Sequence, residues 1–175
     1  MRKALLIVLG ILAVLVVAVA AALLLIYSGV YNVAASAGHY ATVAWVLDTV
    51  KVHSIRYHSP KTVDLSGAST EEGLHHYQEM CAVCHGAPGR PRSAIGQGLL
   101  PQPPEMDEIV EEFSPPQIHW VVSNGLKMTG MPAFGKTHSA QELKNMVAAV
   151  LQRIVVMSSD EYTTAVQNAD SGQHP

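Results

Sequence analysis

Residues Ala4 to Ile26 form a run of 23 in which only Gly10 is not aliphatic. As a helix the run is roughly 34 Å long, enough to cross a hydrocarbon core of about 30 Å. No polar face exists along it, so it cannot serve as one side of a buried globular helix. Arg2 and Lys3 precede the run, and the first lysine or arginine after it is Lys51. The positive-inside rule then makes residues 1–3 a cytoplasmic stub, residues 4–26 a transmembrane anchor, and puts the rest on the outer side. A secretory signal has a shorter apolar stretch, about 7–15 residues, followed by a small-residue cleavage site. The Ala-rich stretch Ala18 to Ala22 imitates such a site. A retained anchor is the expectation, and a cleaved signal is the alternative.

The chain has 175 residues and is 49% apolar, but without the run the remainder is about 42% apolar, an ordinary globular figure. That length suits one domain. Net charge is −3, and beyond the run 9 basic residues face 14 acidic ones, which excludes a nucleic-acid partner. Two cysteines exclude a disulfide framework. Residues 27–68 read as a juxtamembrane helix and linker. Tyr27, Tyr31 and Tyr40 are aromatics of the kind found where a helix leaves a bilayer. A helix is predicted over Tyr40 to Tyr57, with Val43, Val46, Leu47, Val50 and Ser54 on one face and Lys51 and Arg56 elsewhere. Ser59-Pro60 ends it. Its apolar face would meet the membrane surface, the downstream domain or another subunit. Residues 69–157 form the main domain, and residues 158–175 a polar C-terminal tail.

Cys81-Ala82-Val83-Cys84-His85 carries the chemistry. Two thiols at this spacing can add to the two vinyl groups of one haem while the adjacent imidazole reaches the iron. A thioredoxin-like dithiol would want a βαβ context, which the pattern lacks, and a structural zinc site would want about four ligands. One motif implies one haem. Ser69-x-x-Glu72 has the form of a capping box ahead of it, and Leu74, Tyr77, Cys81 and Cys84 recur at helical spacing. His75 and His76 read as solvated or core histidines.

A sixth iron ligand has six downstream candidates: Met106, His119, Met128, Met131, His138 and Met146. Gly130-Met131-Pro132 lies in a glycine-punctuated loop between two predicted helices, where Pro132 stiffens the backbone and Gly130 clears space beside Met131. Met131 is the expected ligand and Met128 the second choice. A middle helix over about Pro115 to Ser123 carries Trp120, expected to pack on the haem, to donate its indole N–H to a propionate, or to be a plain core aromatic. A closing helix from Ser139 to about Val155 opens with a second capping box, Ser139-x-x-Glu142.

Together these residues resemble the class I cytochrome c family over about Ser69 to Val156. The resemblance implies an all-α domain around one haem c, covalently held through Cys81 and Cys84, with His85 and Met131 as iron ligands. Gly73 and Tyr77 match the family's small-plus-aromatic pair that packs on the closing helix, although Val150 stands where that helix often has an aromatic. The segment from Gly29 to His39, with His53-Ser54-Ile55, is similar to the anchor region of membrane-bound monohaem cytochromes of proteobacteria. The implied function is electron transfer at a bacterial inner membrane, with the haem domain facing the periplasm. Implied partners are membrane lipid and redox proteins, including subunits of a membrane oxidoreductase complex. A haem sensor or peroxidase-like enzyme with a labile sixth ligand is the alternative. His85 should donate its second ring N–H to a backbone carbonyl within Leu99 to Pro104. Arg90 and Lys127 are expected near the haem edge or its propionates.

Overall fold

The computed structural model describes residues 1–171 and is helical; among the described residues the only strand-like pairing is an isolated bridge between Ala87 and Arg90. Two units are resolved, residues 1–37 and residues 38 onward. The first is dominated by α1, Arg2–Ser28, none of whose residues is buried within the chain. With an 18-residue stretch of mean hydropathy 3.2, α1 is long and apolar enough to span a membrane. A retained anchor and a signal sequence both meet that description.

The second unit begins with α2 (Ala41–His58) and continues through α3 (Thr70–His76), a π-helical turn (Tyr77–Cys81) and α4 (Ala82–His85). Then follow α5 (Ala94–Gln97), α6 (Met106–Glu112), α7 (Pro115–Asn124), α8 (Ala140–Ala149), a second π turn (Val150–Ile154) and α9 (Ser159–Ser171). Polar side chains start the helices where the sequence predicts. Ser139 and Glu142 form the reciprocal capping box of α8, and Ser114 with Gln117 forms that of α7. At α3 only half of the expected box exists. Ser69 Oγ accepts from the Glu72 N–H, but the Ser69 N–H donates to Asn145 Oδ1 at 2.9 Å, and Glu72 accepts from Asn145 Nδ2 at 2.6 Å. Asn145 is buried to 1% exposure, and the contacts satisfy its side chain.

This close helix pair requires Gly73. A Cβ there would stand 1.9 Å from the Asn145 carbonyl oxygen and 2.8 Å from Ala149 Cβ. Gly73→Ala should therefore force α3 from α8 and cost about 1–3 kcal/mol or more, the usual penalty of overpacking. Denaturant unfolding of the haem-loaded protein measures it, and an unchanged midpoint would contradict the contact. Next to Gly73, Leu74 and Tyr77 pack on Val150 and Ile154.

Residues 158–175 differ from the polar tail expected of them. Up to Ser171 they form α9; residues 172–175 lie outside the described residues. Tyr162 is fully buried and Val166 nearly so, both joining Leu74, Tyr77, Val150 and Ile154 in one cluster. Tyr162 Oη also donates to Gln78 Oε1. The helix is polar in composition but places Tyr162, Ala165 and Val166 on one stripe, and that suffices to dock it. The predicted face of α2 is met in part. Val43, Leu47 and Ser54 are half-buried, but Val46 and Val50 are exposed, and the buried residue is Ile55.

Candidate functional site

Cys81, Cys84 and His85 line one mostly apolar cavity of about 390 Å³. Several features fix the segment that carries them. The π turn, closed by the Ala82 N–H on the Tyr77 carbonyl, inserts one residue into the helix just before the motif. Tyr77 Oη donates to the Gly86 carbonyl at 2.6 Å, pinning the chain as it leaves His85. Ser93 Oγ donates to the Val83 carbonyl at 2.6 Å and ties the following loop to the same turn.

His85 Nδ1 lies 2.8 Å from the Pro104 carbonyl, inside the expected loop. A carbonyl can only accept, so Nδ1 carries the proton and the Nε2 lone pair is left for a metal. Burial lowers the pKa of His85 below the ordinary imidazole value; Arg92 adds to the fall and the bond to Pro104 opposes it. The ring is held in the neutral form, the one that ligates iron. Burial, followed by the neighbouring Cys84, pushes the Cys81 thiol up to about 12. Redox dithiols rely on a thiolate of depressed pKa, so this pair does not suit that chemistry.

Another part of the wall comes from the loop after α7. Its ends are joined by the Leu126 N–H on the Met131 carbonyl at 3.2 Å, and Thr129 Oγ1 accepts from the Met131 N–H at 3.1 Å. A Cβ on Gly130 would reach within 2.7 Å of Leu99 Cδ1, so a larger residue would press on the loop that leads to Pro104. Met131 lines the cavity and packs against Phe134, Leu143 and Met146. Met80, Met106 and Met146 line it as well. Met128 does not; it is 80% exposed with φ 59°.

Other predicted residues stand elsewhere. Trp120 does not line the cavity and instead stacks on His58 of α2 with ring centroids 6.0 Å apart. The reason is helical: Ile118 and Val122 of α7 face the cavity, and Trp120, about 200° from Ile118, faces away. His119 and His138 are not in the wall either. The His138 ring packs against Phe134 and His76. Arg90 sits over the Tyr162 ring, 5.6 Å from its centroid, and with His85 and Arg92 lines a second cavity; Lys127 is exposed, and neither Arg90 nor Lys127 borders the larger apolar one. Sequence reasoning missed Lys51 and Ile55, which border it from α2. Their spacing of four was the available signal.

The donor set fits a covalent haem: two thiols, an imidazole with its free nitrogen available and a thioether meet in one apolar space. Residues 68–148 match the family model described as cytochrome C oxidase, cbb3-type, subunit III. No curated protein and no solved structure matches the chain.

Proposed function

With residues 68–148 a class I monohaem cytochrome c domain, we propose that the chain passes single electrons between redox proteins at a bacterial inner membrane. It does so as a carrier or as the cytochrome subunit of a membrane oxidoreductase complex, with α1 retained in the lipid and the haem domain in the periplasm. The observation that carries this reading is the joint placement of Cys81, Cys84, His85 and Met131 on one apolar cavity.

The haem supplies a one-electron couple and its cysteine attachment makes it a permanent part of the domain. Cys81 and Cys84 hold it at two points. His85 ligates through Nε2, with the Pro104 carbonyl fixing the ring. Met131 is the sixth ligand. Of the four methionines in the wall it alone belongs to a loop. Met80 adjoins Cys81, Met106 lies two residues past the carbonyl that holds His85, and Met146 is buried in α8. A thioether stabilises the reduced iron and raises the potential. With His85 and Met131 both engaged, the iron would have no free position, which favours outer-sphere electron transfer over substrate turnover.

Reduced wild-type protein should accordingly give the same spectrum with and without carbon monoxide; rapid uptake would favour the sensor or peroxidase-like reading. The mature chain should sediment with membranes and retain residues 4–26 by intact mass. A start downstream of Ile26 would replace the tethered protein with a soluble one. Isolation in mild detergent separates the carrier, recovered alone, from the subunit, recovered with stoichiometric partners.

A further inference from the structure

The haem cavity is bordered by one lysine or arginine among the described residues, Lys51, and it comes from outside the family match. Its helix, α2, is tied to the domain by Ile55, one turn further on the same face and 1% exposed. Lys51 is thus set at the cavity by a rigid element. The side chain is 34% exposed and makes a 2.6 Å ion pair with Asp48, 65% exposed on the outer turn of the same helix. Two acidic residues, Glu108 and Glu112, also border the cavity.

A haem brings two propionate carboxylates, which lose hydration as they enter the wall and require a donor or a cation. Glu108 and Glu112 would repel them. Arg90 lies over Tyr162 and Lys127 is exposed, so neither borders this cavity. Arg92 Nη2 lies 3.7 Å from Glu105 and its buried Nε has no partner, but with Arg90 it lines a second cavity on His85 and not this one, so it can meet at most the other propionate. We infer that Lys51 pairs with a haem propionate, which makes the juxtamembrane helix part of the haem enclosure. This rests on the haem reading above. The positive charge would disfavour the ferric state, which carries one more positive charge than the ferrous, and so raise the potential. It would also hold the propionate pKa low against Asp48, Glu108 and Glu112.

The test uses full-length protein carrying Lys51→Gln or Lys51→Arg, with spectroelectrochemical titration from pH 5 to 9 and a stain for acetone-resistant haem on each sample. Lys51→Gln should lower the midpoint potential. It should also move to higher pH the fall in potential that accompanies propionate ionisation. Lys51→Arg should restore both. A Lys51→Gln protein with the wild-type potential and pH profile overturns the pairing while the haem reading stands. A potential that falls in both variants indicates lost packing and overturns it equally. Wild-type protein without acetone-resistant haem removes the haem reading and this pairing together.

Discussion

Cys81→Ser/Cys84→Ser protein should accumulate without acetone-resistant haem and without a cooperative unfolding transition. The cavity between α4, the loop leading to Pro104 and the Met131 loop measures about 390 Å³. Its lining is mostly apolar and open on one side, so without the ring Met80, Leu99 and Met106 are left facing water. Burying one such side chain contributes about 1.5–3 kcal/mol and a domain of ordinary stability has about 5–15 kcal/mol in all, so the loss is comparable with the whole. Serine cannot form the thioether, although a loosely held haem could still reach His85. Haem stain after acidified acetone and circular dichroism melting read the two effects separately. Covalent haem in the double variant would refute the attachment. A melt as sharp as that of the wild type would show that the walls close on themselves.

Met131→Ala should open the iron. Reduced protein should then take up carbon monoxide, and the midpoint potential should fall because the ferrous state loses its thioether. Stability should drop as well, by about 2–5 kcal/mol, since Met131 packs on Phe134, Leu143 and Met146. Met128→Ala should do none of this. Met128 is 80% exposed, and an exposed truncation usually stays within about 0.5 kcal/mol. If Met128→Ala opens the iron and Met131→Ala leaves it closed, the ligand assignment fails while the cytochrome domain stands. Met80→Ala and Met146→Ala provide the remaining contrast, as both side chains share the wall.

What could be read from the sequence was what short spacing encodes. Cys81, Cys84 and His85 are contiguous, the Ser139 box spans four residues, and the Gly73 and Tyr77 pair sits on a single turn. The carbonyl that holds His85 was predicted to a six-residue window, because a ligating imidazole requires such an acceptor and the loop offered few. Longer-range features were not legible in this way. Lys51 stands 30 residues before Cys81, and helical spacing put Val43, Val46, Leu47, Val50 and Ser54 on one face of α2 without saying what that face meets. The structure half-buries Val43, Leu47 and Ser54, exposes Val46 and Val50 and buries Ile55, a face turned toward α7. At α9 the composition is polar, and it obscured a signal that was present. Ser158 and Glu161 make a further capping pair, with the Ser158 N–H donating to Glu161 at 2.8 Å, directly ahead of the apolar Tyr162, Ala165, Val166 stripe. Trp120 was misplaced for the same reason as Lys51. A large aromatic on the middle helix has two available neighbours, and only the tertiary arrangement selects His58 over the cavity.

The Asn145 bonds to Ser69 and Glu72 join points 76 and 73 residues apart in the chain. The seam between α3 and α8 therefore needs both ends of the domain at once, and a chain cut anywhere before residue 145 loses the partner that Ser69, Glu72 and Gly73 dock on. The haem motif then follows a helix whose close partner comes from the far end of the domain, so proteolysis in the loops between them should release α3 as well as the loops themselves.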